Sequence, residues 1–508
     1  MTKGKGRSIA FVSNAISSLL LQVVNIVVGF VVPHALIGTY GSEVNGLVTS
    51  LTQFVSYIQL VEAGISSAAV FQLYSPIARG DTVEASRVVS AARTFYYKSG
   101  AAFTALMLAL ACLYPVFVQV EGIGSPGVFV LVLALGATGF LDFFTLAKYR
   151  VLLTATQRNW VIQLASIVYK ALYTAVVLVG TFAGVSVVAL FVIAILPIVV
   201  RTLILIAYAR RSYPDIDFSA DAKGLKLDQR WDAFFLQVLG AVQSGAPTII
   251  ATFVLGDLSL VSVFSVYMLV ANGLQNAINS LSQGTQASFG DVIARGQSDV
   301  LKHSFREFQT LTYGVTGVAC GVGIALIVPF VRLYTADIAD VDYIYPLVGV
   351  LGMANVLLYH LKTPQGLLVI SAGRYRDTRV QTTLQTVILL VGSIALGAAF
   401  GMPGILAGML LSNLYRDIDL MLYIPREVTK TAPSETLKFM VLAVAVCALV
   451  AVPYFVVQPP CAGWPEWALS AIVLALWGCL LTLALYRAFA REQLSGLLSR
   501  AKRLVGAR

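Results

Sequence analysis

Four cations sit inside long apolar runs: Lys170, Lys362 and Arg416, and Arg201 toward the inner end of its run. A charge in hydrocarbon is costly, so an ionisable side chain at membrane depth is a functional candidate by default. Lys170 is about twelve residues from the nearer end of its run, roughly 18 Å along a helix, too far to snorkel easily. Lys362 stands two residues after His360 and two before Pro364. Buried cations in an apolar setting suit an anionic ligand, such as a phosphate or diphosphate, and His360 is a candidate beside them. A purely structural role is the alternative. Arg416 can pair with Asp419 three residues on, on one helix face. Arg201 can snorkel, and Asp142 can neutralise a neighbouring cation, with Lys170 as its candidate partner. Intramembrane carboxylates are fewer: Glu62, Asp142, Asp417 and Asp419. Glu62 and Asp142 are the candidates for a coupling Na⁺ or H⁺, or are partners of the cations.

Amides and hydroxyls gather in other apolar runs. One carries Ser50, Thr52, Gln53, Ser56, Tyr57 and Gln59. A second holds Gln237, Gln243 and Ser244. A third runs Asn272, Gln275, Asn276, Asn279, Ser280, Ser282, Gln283 and Gln286. Strips this polar line water or another polar surface rather than lipid. Sugar hydroxyls are read by such groups, which makes Asn272, Asn276, Asn279, Gln283 and Gln243 candidates for a hydrated, sugar-compatible cavity. Interhelical hydrogen bonding is the other reading.

The elements that must position these residues are membrane spans. The chain is 58% hydrophobic and 12% charged, about half the charge of a soluble protein. About fourteen stretches are long enough to cross a bilayer. They are 8–32, 44–66, 95–118, 127–148, 159–181, 186–209, 232–254, 261–286, 309–330, 343–371, 380–400, 404–424, 438–457 and 467–487. The fold class is therefore an all-α polytopic membrane protein. Of 35 Lys and Arg residues, 30 fall in alternate connections, starting from the N-terminus. The opposite connections hold one, Arg332. Cations are retained on the cytoplasmic side, so both termini are expected there. The net charge of +10 is spread over short loops rather than gathered on one face, which argues against a nucleic-acid partner. The lipid bilayer is the expected surroundings.

Much is excluded. The longest connection, 210–231, leaves no room for a soluble catalytic domain. No phosphate-cradling Gly-rich loop and no His-rich metal pattern occurs, so neither an enzyme nor a bound metal or cofactor is expected. Five cysteines have no metal or redox spacing. Asp417-Ile418-Asp419 superficially matches an Asp-x-Asp metal motif of glycosyl transferases, but helical spacing turns its carboxylates to different faces.

The chain reads as two related halves. Leu152–Asn159 and Val369–Arg376 both place a small-residue turn and cations between two helices, 217 residues apart, and Ala183-Gly184 matches Phe400-Gly401 at the same spacing. The expected layout is a six-helix lobe over 1–210, a second over 211–430, and two extra spans with a basic tail over 431–508. Gly317-x-x-x-Gly321 and Gly404-x-x-x-Gly408 are close-packing signals.

Gly41–Leu47 and Tyr57–Ala68, with the Thr-Ala-Thr-Gln-Arg-Asn turn at 154–159, resemble bacterial oligosaccharide-lipid flippases. These are the O-antigen, capsule and teichoic-acid exporters of the multidrug/oligosaccharidyl-lipid/polysaccharide exporter superfamily. The resemblance implies two six-helix lobes around a cationic cavity in the bacterial cytoplasmic membrane. It implies alternating access that turns an undecaprenyl-diphosphate-linked oligosaccharide from the inner to the outer leaflet. Polysaccharide polymerase and glycosyltransferases are the candidate partners, and a Na⁺ or H⁺ gradient the candidate energy source. The related lipid II flippases carry arginines in the first helix; none lies between Ser8 and Val32 here. A multidrug antiporter of the same superfamily is the rival reading, and a membrane glycosyltransferase or ligase a distant third.

Overall fold

The computed structural model describes residues 2–62, 65–120, 122–221, 231–282, 285–457, 461–496 and 499. Among them there is helix and no strand. In lipid every backbone polar group must be satisfied within its own segment, which an α-helix achieves. The chain forms two compact units, Met1–Gly245 and Ala246–Arg508.

The first unit holds α1 (Thr2–Tyr40), α2 (Ser42–Ile58), α3 (Ile65–Arg79), α4 (Thr82–Phe117), α5 (Gly124–Leu141), α6 (Ala147–Ala155), α7 (Asn159–Phe182), α8 (Val187–Ile193) and α9 (Leu196–Ser212). The helix α10 (Trp231–Leu255) carries the division between the units. The second unit continues with α11 (Leu258–Ser280), α12 (Thr285–Ala294), α13 (Ser298–Tyr334), α14 (Pro346–Ser371), α15 (Arg379–Phe400), α16 (Met402–Ile424), α17 (Pro433–Val457) and α18 (Trp464–Phe489). Eleven of the described helical segments are long and apolar enough to cross a membrane. The other three expected spans fall on α2, α14 and α16. The first is short, 17 residues ending where the 3₁₀ turn Gln59–Glu62 begins; the other two are diluted by His360 and Lys362, and by Arg416, Asp417 and Asp419. Outer faces carry bare apolar side chains, such as Leu19, Phe182 and Leu476, as lipid contact requires.

One series of turns occurs twice. Left-handed residues sit at Gly41, Gly80, Gln157 and Gly184, and again at Gly256, Gly296, Gly373 and Gly401. The spacing is 215 to 217 residues throughout. The turn after α6 and the turn after α14 share their hydrogen bonds. Arg158 N–H donates to Leu153 O at 2.8 Å and Gln157 N–H to Thr154 O at 3.0 Å; Arg374 N–H donates to Val369 O at 3.0 Å and Gly373 N–H to Ile370 O at 3.1 Å. This is the Schellman cap, and it aligns at 216, one residue from the sequence match. Glycine takes the left-handed position in one turn and Gln157 (φ 60°) in the other. Gln157 has an exposed side chain, so Gln157→Gly relieves backbone strain at little cost. We expect a gain of about 0.5–1 kcal/mol, read as a higher melting temperature in detergent; an unchanged or lower one contradicts the assignment.

Close backbone approach holds the second unit together. A Cβ on Gly317 would lie 2.8 Å from Ala443 O, and one on Gly321 2.7 Å from Cys447 O. The helix α13 therefore meets α17 backbone to backbone, and a fork from Arg306 to Glu435 at 2.6–2.9 Å ties the same two helices near one end. The last two spans are thus built into the second unit. Gly404 and Gly408 bring α16 against the Gly392–Gly397 backbone of α15 in the same way.

Candidate functional site

In the first unit the charged side chains converge through a π-turn. Asp142 opens the turn Asp142–Leu146 that joins α5 to α6; such turns are frequent at functional sites. Arg150, on α6, lies eight residues later, roughly 12 Å along an ideal helix. Helical side chains lean toward the N-terminus, and the long arginine reaches back. Its Nη1 forms an ion pair with Asp142 Oδ2 at 2.8 Å. Its Nη2 lies 3.2 and 3.3 Å from the carboxylate oxygens of Glu62, which ends the 3₁₀ turn Gln59–Glu62. Arg201 of α9 approaches Asp142 Oδ1 only to 3.8 Å. Arg201 Nε and Asp142 Oδ1 are both buried without a hydrogen-bond partner.

One sequence expectation changes here. Asp142 pairs with Arg150 and Arg201, not with Lys170. Lys170, half-buried on α7, makes no hydrogen bond or ion pair with the described residues, and lies within electrostatic reach of Arg201. Glu62 and Asp142 do share one place, yet the cation between them is the Arg150 guanidinium. The group holds three cations (Lys170, Arg150, Arg201) against two carboxylates, and Lys170 is the member left unpaired.

In the second unit a buried polar cluster joins α13, α14 and α16. Lys362 Nζ donates to Asn413 Oδ1 at 2.6 Å and lies 5.0 Å from the Tyr359 ring centre. Asn413 in turn donates to Asn355 Oδ1 at 3.3 Å. Asp417 is the electrostatic neighbour of Lys362, yet neither carboxylate oxygen has a hydrogen-bond partner. Tyr313 Oη donates to Leu361 O at 2.6 Å and accepts from Gln365 Nε2 at 2.7 Å. His360 is fully buried beside the Gln275 backbone, with neither ring nitrogen in hydrogen-bond geometry. Arg416 pairs with Asp419 at 2.5 Å, as its spacing predicts. The two carboxylates of Asp417-Ile418-Asp419 thus serve different partners and form no shared metal chelate.

The amide strips meet these clusters where the Gln275 backbone lies beside His360. On α11, Asn272 and Asn276 are exposed and Asn279 half-exposed, while Phe264, Tyr267, Ala271 and Ile278 are buried. The polar side therefore faces out of the packed unit. Gln243, on α10, is half-buried. Gln283 lies outside the described residues. In the first unit the Tyr57 hydroxyl lies 3.2 and 3.1 Å from the carbonyls of Ala241 and Val242.

Solved structures share this architecture. A multidrug resistance MATE family transporter of the MOP superfamily, inward-facing, superposes with a TM-score of 0.66 at 14% identity, covering 84% of this chain and 99% of that one. The lipid II flippase MurJ, in an inward closed conformation, gives 0.61 at 13% identity, covering 94% and 99%. A MOP superfamily transporter from Pyrococcus furiosus gives 0.57 at 15% identity, covering 83% and 96%. The chain has the MOP-superfamily fold. No protein-family model and no curated protein matches it.

Sequence reasoning missed Arg150 and Asn413. Arg150 lies just past the 127–148 span, among the cations of the alternate connections, and its pairing with Asp142 emerges only with the π-turn Asp142–Leu146 in place. Asn413 is an ordinary helix amide until its neighbour is known to be Lys362. One signal was available: Asn413, Arg416 and Asp417 lie within five residues of an otherwise apolar span.

Proposed function

We propose that the protein is a flippase that moves an undecaprenyl-diphosphate-linked oligosaccharide from the inner to the outer leaflet of the bacterial cytoplasmic membrane by alternating access, with both termini cytoplasmic. The observation that carries this reading is the cationic excess of the first unit, with Lys170 unpaired and Arg201 incompletely satisfied. A diphosphate offers both the charge and the acceptor oxygens these donors lack. The outward-facing amides of α11 suit sugar hydroxyls, and the polyprenyl tail stays in lipid. The product would feed polysaccharide polymerase and glycosyltransferases for O-antigen, capsule or teichoic-acid synthesis.

The rival is a multidrug antiporter, favoured by the fold shared with MATE transporters. Cation export in that reading calls for free intramembrane carboxylates: in the first unit Glu62 and Asp142 are both held by Arg150, while Asp417 of the second unit, with both oxygens unpartnered, is a carboxylate such export could use. Binding separates the two. A short-chain polyprenyl diphosphate is expected to raise the melting temperature of the purified protein, and a lipophilic cation is not. Lys170 has no ion pair to lose, so Lys170→Ala should keep the fold and weaken diphosphate binding about tenfold, while Lys170→Arg keeps most of it. That step is about 1.4 kcal/mol, the scale of one charge-assisted hydrogen bond. Stabilisation by the lipophilic cation alone would favour the antiporter.

A further inference from the structure

Among the described residues of the second unit, Lys362 and Asp417 are a buried charge pair without a contact between its members. Both residues are more than nine-tenths buried, at 8% and 4% exposure. They are electrostatic neighbours on α14 and α16, yet no contact ion pair joins them. The ammonium is turned to a neutral amide, Asn413 Oδ1, and both carboxylate oxygens are unpartnered. A structural salt bridge would close this gap, because an unsatisfied buried carboxylate is expensive. Around the gap stand groups that can pass or hold a proton. From α13 comes the Tyr313 hydroxyl. From α14 comes His360, fully buried beside the Gln275 backbone. Arg416 on α16 is engaged by Asp419, and Tyr486 of α18 lies behind Tyr313.

We propose that Lys362 and Asp417 form a proton-exchange site, so that the second unit carries a coupling proton. The chemistry balances simply. Ammonium beside carboxylate takes one proton from water onto an Asp417 oxygen, giving ammonium beside carboxylic acid and one added positive charge. Release of that proton to water restores the neutral pair. Within the closed pocket the Lys362 proton can also pass to Asp417, leaving amine and acid and removing both buried charges without net uptake. Moving between these states changes the electrostatic cost of burying α14 against α16, which is what a coupling ion must do. Glu62 and Asp142 are less suited, because each is already ion-paired with the Arg150 guanidinium.

The test is infrared difference spectroscopy of the full-length protein in lipid, cycled between about pH 5 and about pH 9, the range where displaced carboxyl and amine groups titrate. A protonated-carboxyl C=O band is expected to appear and vanish with pH, and to move on ¹³C labelling of aspartate. It should be lost in Asp417→Asn, persist at a displaced position in Asp417→Glu, and be untouched in Glu62→Gln. Lys362→Met should shift its midpoint by about one pH unit or more, a tenfold change in proton affinity. Absence of a titrating band in the wild-type protein overturns the proposal. So does a band that survives Asp417→Asn, or one that answers to Na⁺ at fixed pH and not to pH. Should Asp417→Asn fail to fold, the Asp417→Glu displacement and the aspartate label decide. No lipid-linked sugar enters the measurement, so its failure is separate from failure of the flippase reading.

Discussion

Arg150→Gln should be the most damaging single change in the first unit. It leaves Glu62 and Asp142 as facing carboxylates with no cation between them. Removing one member of a buried ion pair costs about 3–5 kcal/mol. With 23–29% of each side chain reachable, we expect the lower end, about 3 kcal/mol, seen as a large drop in melting temperature. The double variant Arg150→Gln, Glu62→Gln leaves Asp142 to Arg201, removes the uncompensated carboxylate and should recover most of the loss. A single variant that melts like the wild type would show that Arg150 does not hold the two carboxylates together.

Gly408→Val is the second large effect, and its cause is steric. The atoms nearest a new Cβ there belong to the Gly392–Ser393 backbone, which cannot rotate away as a side chain can. The pair α15–α16 must separate, at about 3 kcal/mol or more. Ser393 Oγ and Ser412 Oγ would lose their bonds to Ile405 O and Gln385 O across the same seam. Because α16 also carries Asn413, Arg416 and Asp417, the change should disturb the Lys362 cluster as well. Gly366→Ala is the control: nothing lies within 4 Å of its Cβ, and an alanine in mid-helix should stabilise by up to about 1 kcal/mol. Equal effects at both positions would contradict the close-packing account.

The legible parts of the fold were those set by local chemistry. Span lengths follow from bilayer thickness, and the turn at Thr154–Asn159 follows from a Schellman cap that a few residues encode. The Gly-x-x-x-Gly seams announce themselves by spacing, and so does Arg416–Asp419, which needs only one helix. Pairings between helices were not legible. Asp142 looked like a partner for Lys170 because both sit at depth, but which helices adjoin is decided by packing over the whole unit. The π-turn at Asp142–Leu146 left no sequence mark, and it brings Arg150 into the site. The gap between Lys362 and Asp417 depends on where Asn413 stands, one turn before Asp417 on the same helix.

The central claim is transport of a lipid-linked sugar diphosphate. It is tested most directly by leaflet accessibility of a labelled undecaprenyl-diphosphate oligosaccharide in proteoliposomes. The predicted result is protein-dependent transfer between leaflets, reduced about tenfold in Lys170→Ala and kept in Lys170→Arg. No transfer with several unrelated glycans, together with efflux of a lipophilic cation, would contradict the flippase reading and establish the antiporter in its place.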